Sequence, residues 1–153
     1  MLTGSGNTPP PTVPARAKHM PRDLARWARR YGVELAWNPA FAMSTVQALR
    51  SALAAQDGGS FAALHRALFR AVWVDRKNVS DPAVIADVVA KAGVDSAALL
   101  AEASSEPYKA RLKAKVDEAL ARGAFGLPSF FVGDELFFGN DWLQFVEEAL
   151  SQS

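Results

Sequence analysis

The fold of this 153-residue chain is decided by the stretch Gly123-Ala124-Phe125-Gly126-Leu127-Pro128-Ser129-Phe130-Phe131-Val132-Gly133-Asp134-Glu135-Leu136-Phe137-Phe138-Gly139-Asn140-Asp141. Two apolar runs, 130–132 and 136–138, flank Gly133-Asp134, and glycine at the first position of a two-residue loop favours a primed turn. The pattern therefore predicts an antiparallel β-hairpin. Pro128 stands at its entrance, where a strand tolerates a missing N–H and where a cis X–Pro bond is accessible.

The predicted hairpin is apolar on both faces, because residues 130–132 and 136–138 are consecutive hydrophobic residues. Strands of this kind belong to a sheet that is covered on both sides, and two strands alone are marginal in water. The chain offers no strong candidate for the neighbouring strands. We therefore expect a sheet whose other strands are missing from this sequence.

Composition excludes several classes of function. The chain is 50% hydrophobic and 22% charged, which is ordinary for one soluble domain, and its net charge of +1 gives no basic surplus for nucleic acid. It has no cysteine, so disulfides, thiolate catalysis and cysteine-ligated metals are ruled out. The two histidines, His19 and His65, lie far apart without a metal-ligand spacing. No membrane span or signal peptide is apparent, so a cytoplasmic protein is expected.

Most of the remaining sequence carries helical spacing, which predicts about six helices and one shorter helical piece besides the hairpin. The start, rich in proline, is expected to be an extended arm over residues 1–20, and a short extended piece is predicted at 33–37. The predicted helices cover 21–31, 45–57, 60–73, 82–92, a shorter piece at 95–103, 107–122 and 141–150. Asp81 and Asp95 are expected as N-caps, and Glu118 is expected to pair with Arg122.

The helix at 60–73 carries an apolar stripe that is wide for a surface helix: Phe61, Leu64, Leu68, Phe69, Val72 and Trp73. We therefore predict a central position for it. His65 lies within this helix without an acid or a nucleophile three or four residues away, which favours a solvated helical histidine over a catalytic one.

Two motifs near the hairpin each have a structural and a functional interpretation. Leu127-Pro128 is either a tight entrance to the first strand or a cis proline that leaves the backbone of Leu127 free to pair with an extended peptide. Asn140-Asp141 is either an ordinary helix N-cap or a site for an amino-acid head group, with N–H groups for a carboxylate and an aspartate for an ammonium. The two motifs support each other across one hairpin.

Gly-Ala-Phe-Gly-Leu-Pro at 123–128 and Leu-Phe-Phe-Gly-Asn-Asp at 136–141 resemble the C-terminal half of 2-hydroxychromene-2-carboxylate isomerases and kappa-class glutathione transferases. The segments 6–10, 13–16, 20 and 26–32 resemble the part that these families carry after their second strand, so the resemblance covers nearly the whole chain. It implies an α/β thioredoxin-like fold of the DsbA/kappa type with a helical insertion. The chain would be mostly helical, with a C-terminal β-hairpin and a final helix, and the N-terminal part of the sheet would be missing.

The resemblance implies glutathione as the cofactor and assigns its binding residues. Leu127, before a cis Pro128, would pair with the cysteinyl part of glutathione. Asn140 and Asp141 would hold its γ-glutamyl end.

Three further positions follow from the resemblance. Asn7 and Arg16 would also approach glutathione, although these families usually have lysine at the second position and Lys18 could substitute for Arg16. Trp73 would line the wall over the substrate, or else belong to the core. No metal is implied.

The resemblance divides the chain into an extended arm at 1–20, a helical insertion domain at 21–122 and the C-terminal part of the thioredoxin-like domain at 123–153. The chain departs from these families at one point. The families carry an active-site serine in a Ser-Pro-Tyr-type motif, whereas this chain has no Ser-Pro dipeptide. The expectation is an N-terminally shortened member, with the family serine upstream of this chain and no catalytic residue within it.

The implied function is a glutathione-dependent isomerase of an aromatic-degradation intermediate, impaired in this chain by the missing serine. The alternatives are a non-catalytic glutathione- or peptide-binding thioredoxin-like remnant and a kappa-type glutathione transferase. A DsbA-like disulfide oxidoreductase is excluded by the absence of cysteine. The expected partners are a small aromatic substrate and, because the sheet edges are exposed, a second copy of the chain in a homodimer.

Overall fold

The structure is a computed structural model and describes residues 13–152. Within them the helices are α1 Pro14–Tyr31, α2 Val46–Asp57, α3 Phe61–Trp73, α4 Pro82–Lys91, α5 Ser96–Ala103, α6 Glu106–Ala121 and α7 Leu143–Gln152. The strands are β1 Ser129–Val132 and β2 Glu135–Phe138, and a 3₁₀ turn, Asn140–Trp142, leads into α7. The described residues form two compact units, one made of 13–17 with 113–152 and the other of 18–112.

The core of the second unit lies among α2, α3, α4 and α5, which pack on one another. Each helix contributes small or branched apolar residues at helical spacing, so one stripe per helix is removed from water. The most deeply buried members of this core are Ala54, Ala55, Leu64, Val79, Ile85, Val89 and Ala103.

The aspartate caps are confirmed. Asp81 Oδ1 accepts from the Ala83 N–H at 2.8 Å, with Pro82 at the first position of α4, and Asp95 Oδ1 accepts from the Ala98 N–H at 3.1 Å. Each carboxylate satisfies an N–H that has no partner within its helix and also faces the positive end of the helix dipole.

The prediction of an extended arm is wrong for residues 14–20, because α1 begins at Pro14 and continues through Pro21 to Tyr31. Proline is tolerated in the first turn of a helix, since its missing N–H has no helical partner there. Pro21 lies inside the helix, where a proline gives up one backbone hydrogen bond without ending α1. Residues 1–12 of the predicted arm lie outside the described residues.

Two further expectations for the second unit hold only in part. Residues 33–37 form no strand; the Ala36 N–H donates instead to the Trp73 carbonyl at 2.7 Å. The stripe of α3 is only partly central, because Leu64 and Leu68 are buried whereas Phe61 is 41% and Phe69 57% exposed. His65 lies between these two rings on the exposed face of α3, with centroid distances of 5.2 and 4.7 Å.

The first unit contains the predicted hairpin. β1 and β2 pair antiparallel, with Phe130 opposite Phe137 and Val132 opposite Glu135, and α7 packs on both strands. Gly133 has a φ of +57°, which a residue with a side chain rarely adopts, so glycine is needed at the first position of the turn. Among the described residues the sheet has these two strands.

Candidate functional site

The connection between α6 and β1 is fixed at its start by the end of the helix. The Gly123 N–H donates to Leu120 O and the Ala124 N–H to Ala119 O, both at 2.9 Å, which is the hydrogen-bond pattern of a Schellman cap. Ala124 is buried and Phe125 follows it with its ring 4.4 Å from that of Phe138. The prediction that α6 ends before Gly123 is confirmed.

Leu127 is the most exposed part of this connection. Leu127 is 76% exposed to solvent. The Leu127–Pro128 peptide bond is cis, as predicted. Within residues 13–152 no hydrogen-bond partner is found for the N–H or the C=O of Leu127. Both groups are therefore open to an extended ligand chain.

The neighbours of Leu127 are held firmly. Ser129 Oγ donates to the carbonyl of Gly126 at 2.7 Å, and the Gly139 N–H donates to the carbonyl of Pro128 at 3.0 Å. The second bond continues the hairpin ladder beyond the strands. It places Leu127, which precedes Pro128, at the same end of the hairpin as the residues that follow Gly139.

Asn140 and Asp141 lie in the 3₁₀ turn at that end of the hairpin, Asn140 half-buried and Asp141 exposed. Asp141 is not an N-cap, because Gly139 occupies the cap position and makes no side-chain cap hydrogen bond. A Cβ on Gly139, whose φ is +103°, would lie 2.6 Å from Asp141 Oδ1. Glycine at 139 thus lets the Asp141 carboxylate lie against the backbone at the hairpin entrance.

The remaining predicted binding residues are distributed as follows. Arg16 is exposed in the first turns of α1, within the first unit. Trp73 ends α3 in the second unit, is half-buried, and has its ring 5.7 Å from that of Phe41. Asn7 lies outside the described residues. The structure therefore places Leu127, Pro128, Asn140 and Asp141 at one end of the hairpin. The binding roles of these four residues, and those of Arg16, Asn7 and Trp73, stay predictions.

One contact of the hairpin was missed by sequence reasoning. Arg122 was expected to pair with Glu118, but Glu118 pairs with Lys115 at 3.2 Å. Arg122 instead lies over the ring of Phe131, 3.9 Å from its centroid, and donates to the carbonyl of Gly133 at 2.7 Å. A basic residue directly before a helix-ending glycine gives no sequence signal for such a partner.

The polar groups of this site can bind a ligand by hydrogen bonds and by charge. In the described part of the chain, no three acidic or histidine side chains come close enough together to hold a metal ion. The same residues contain no helix that is long and apolar enough to cross a bilayer. The site offers an open backbone at Leu127, a carboxylate at Asp141 and an amide at Asn140. Such groups can pair with an extended peptide chain that carries a positively charged end.

Comparison with known proteins identifies the family of the chain. Residues 1–151 match the DSBA-like thioredoxin domain. The chain belongs to the DSBA-like thioredoxin family. The predicted fold is thereby confirmed, since the family match covers almost the whole chain.

Within that family, the chain is 31% identical to the 2-hydroxychromene-2-carboxylate isomerase of Sphingobium xenophagum, over 90% of this chain and 70% of that protein. It is 24% identical to the glutathione S-transferase kappa 1 of Rattus norvegicus, over 99% of this chain and 74% of that protein. A solved structure of a 2-hydroxychromene-2-carboxylate isomerase superposes with a TM-score of 0.80 at 25% identity, covering 99% of this chain and 74% of the other. The chain is therefore a member of the group of these isomerases and kappa transferases.

Proposed function

We propose that this protein is a glutathione-dependent isomerase of the 2-hydroxychromene-2-carboxylate type, acting on an intermediate of aromatic degradation. The observation that carries the proposal is the hydrogen bond between Gly139 and Pro128, because it brings the open backbone of Leu127 and the carboxylate of Asp141 to one end of the hairpin. Similarity to a named isomerase in both sequence and structure supports the reaction class.

In this proposal each residue of the site binds a different part of glutathione. The N–H and C=O of Leu127 can pair with the cysteinyl part of glutathione in the manner of an added strand. The carboxylate of Asp141 can hold the α-ammonium of the γ-glutamyl end, and the amide of Asn140 can contact the same end. The bound glutathione would supply a thiol, which this cysteine-free chain lacks.

The catalytic half of the site is not assigned to any residue of these 153. The resemblance calls for a hydroxyl donor in a Ser-Pro-Tyr-type motif, and no Ser-Pro dipeptide occurs in the sequence. Since such a donor lowers the pKa of the thiol, its lack would leave glutathione mostly as the less reactive thiol. We therefore infer that these 153 residues bind glutathione but turn over little substrate.

Calorimetry with glutathione tests the binding role of Asp141. We expect Asp141→Asn to bind glutathione about fivefold to tenfold more weakly than the wild type, because a charge-assisted hydrogen bond to the ammonium is lost. Asp134→Asn is the matched control, since Asp134 is an exposed acid at the opposite end of the same hairpin. It should bind like the wild type.

A ligand change completes the test. A glutathione analogue without the α-amino group should bind the wild type as weakly as glutathione binds Asp141→Asn, and should not distinguish the two proteins. If the analogue is still weakened by Asp141→Asn, the carboxylate does not hold the ammonium. If glutathione binds neither protein, the proposed function is wrong.

The kappa transferase is the second candidate, favoured by the 24% identity to the rat enzyme along nearly the whole chain. Both functions would use the same thiol site and differ in the electrophile. Binding without turnover of either kind would favour the third candidate, a non-catalytic glutathione- or peptide-binding protein. A cytoplasmic location also stays a prediction.

A further inference from the structure

Arg122 joins the end of α6 to the tip of the hairpin. Its Nη2 donates to the carbonyl of Gly133, in the turn, at 2.7 Å, and its Cζ lies 3.9 Å from the centroid of the Phe131 ring. A guanidinium suits this place because it can stack on an aromatic face and direct a planar N–H toward an acceptor at the same time.

This contact determines where the connection 123–128 begins. Arg122 is held at the turn, whereas Leu127 lies at the entrance, so the connection must run back along the four residues of β1. A four-residue strand is about 13 Å long. Six residues can span about 20 Å, so the length of the connection alone does not fix its path.

The path is fixed by contacts at several points. Arg122 holds the start to the tip of the hairpin, the rings of Phe125 and Phe138 touch in the middle, and Ser129 bonds to Gly126 at the end. Without the first contact, the connection would lose one of these three restraints, and the end of α6 could shift relative to the hairpin. The backbone of Leu127 would then be held less firmly relative to Asp141.

We propose that Arg122 is a positioning residue of the Leu127–Asp141 site. It acts through the connection 123–128 and does not touch the ligand. The proposal rests on the proposed function, because it assumes that glutathione binds at Leu127 and Asp141. The geometry on which it depends, a clamp between α6 and the hairpin, is independent of any ligand.

The first measurement is glutathione binding by Arg122→Ala, Arg122→Lys and a control, Arg66→Ala. Arg66 is an exposed arginine on α3 and belongs to the other unit, so its loss removes the same charge from a different element. We expect Arg122→Ala to bind about fivefold more weakly, Arg122→Lys to recover part of the loss, and Arg66→Ala to bind like the wild type. Equal binding by Arg122→Ala and the wild type would overturn the proposal.

A double variant separates positioning from simple destabilisation. If Arg122 places Leu127 relative to Asp141, Arg122→Ala should weaken binding less in an Asp141→Asn background than in the wild type. An equal loss in both backgrounds would overturn the positioning role. Circular dichroism must show each variant folded at the temperature of the titration.

Hydrogen exchange of the Gly139 amide distinguishes failure of this proposal from failure of the proposed function. That amide bonds to Pro128 and reports the hairpin entrance without a ligand. We expect about tenfold faster exchange in Arg122→Ala and no change in Arg66→Ala. If the wild type fails to bind glutathione, the function is wrong, and unchanged exchange in Arg122→Ala would then overturn the clamp as well.

Discussion

The buried side chain of Asn38 connects three backbone segments by hydrogen bonds. Its side chain is fully buried; Nδ2 donates to the carbonyls of Val72 and Lys77, each at 2.9 Å, and Oδ1 accepts from the Ala40 N–H at 2.9 Å. The segment between α1 and α2 is thus fastened to the end of α3. The pair Asn38-Pro39 signals a turn in the sequence, but nothing there signals burial.

We predict that Asn38→Ala lowers the free energy of unfolding by about 2–4 kcal/mol, because it leaves two carbonyls and one N–H buried without partners. Urea unfolding followed by circular dichroism measures the change. Asn78→Ala is the matched control, since Asn78 is exposed and its Oδ1 accepts from the N–H and the hydroxyl of Ser80. It should lose about 1 kcal/mol or less. Similar losses in the two variants would contradict the role of burial.

At the scale of elements, three helices of the second unit meet at one hydroxyl. Tyr108 of α6 lies 2.7 Å from Asp57 Oδ2 at the end of α2 and 2.8 Å from Glu102 Oε1 of α5, and Arg111 bonds to Asp57. The bond from Arg111, followed by the bond from Tyr108, lowers the pKa of Asp57 below its ordinary value of 3.8. The bonds to Asp57 and Glu102 raise the pKa of Tyr108.

The direction of the Asp57 shift gives a pH dependence. A carboxyl whose pKa is lower in the folded state stabilises the fold above its unfolded pKa, and this contribution is lost as the pH falls through the folded pKa. We predict that Asp57→Asn is less stable than the wild type at pH 7 and that the difference shrinks below about pH 4. Urea midpoints between pH 7 and 3 measure it; a constant difference across that range would show that the charge of Asp57 is not involved.

Local chemistry made several elements predictable. The caps at Asp81 and Asp95 and the Gly133 turn follow from backbone rules that act within a few residues, and all three are found. The start of α1 is not predicted, because the prolines near the start of the chain favour an extended arm. Proline is nevertheless tolerated in the first turn of a helix, and α1 continues through Pro21.

Exposure on α3 could not be predicted from spacing. The apolar stripe identifies the inward face, which carries the buried Leu64 and Leu68. It does not say how far the neighbouring helices α2 and α4 reach around the helix, and Phe61 and Phe69 lie beyond them. Burial at the margin of a stripe is decided by partners that are distant in sequence.

The placement of Leu127 and Asp141 at one end of the hairpin, in contrast, follows from local backbone rules. The two-residue turn fixes the register of the hairpin, and the register brings Leu127 and Asp141 to one end although they are fourteen residues apart. Arg122 was not predictable, because sequence rules suggest a local partner four residues away, whereas the structure gives it Phe131 and Gly133.

At the scale of the whole molecule, the two outer edges of the hairpin bear on assembly. The bond between Pro128 and Gly139 sets the alternation of the ladder, so Ser129 and Phe131 on β1, and Leu136 and Phe138 on β2, direct their N–H and C=O groups away from the partner strand. Among the described residues these edges have no further strand. Open edges on an apolar hairpin favour pairing with another chain.

We therefore predict that the 153-residue chain forms a dimer by strand pairing, which sedimentation or light scattering would detect as twice the monomer mass at micromolar concentration. Leu136→Pro removes only an outward N–H, so the hairpin can persist while pairing along the β2 edge is blocked. Leu136→Ala is the matched control for the lost side chain and should remain dimeric if pairing uses the backbone of β2. A wild type that stays a cooperatively folding monomer would contradict pairing at either edge. If Leu136→Pro is still dimeric, the contact lies along β1 instead. Ser129→Pro, which removes the corresponding outward N–H of β1, then tests that edge.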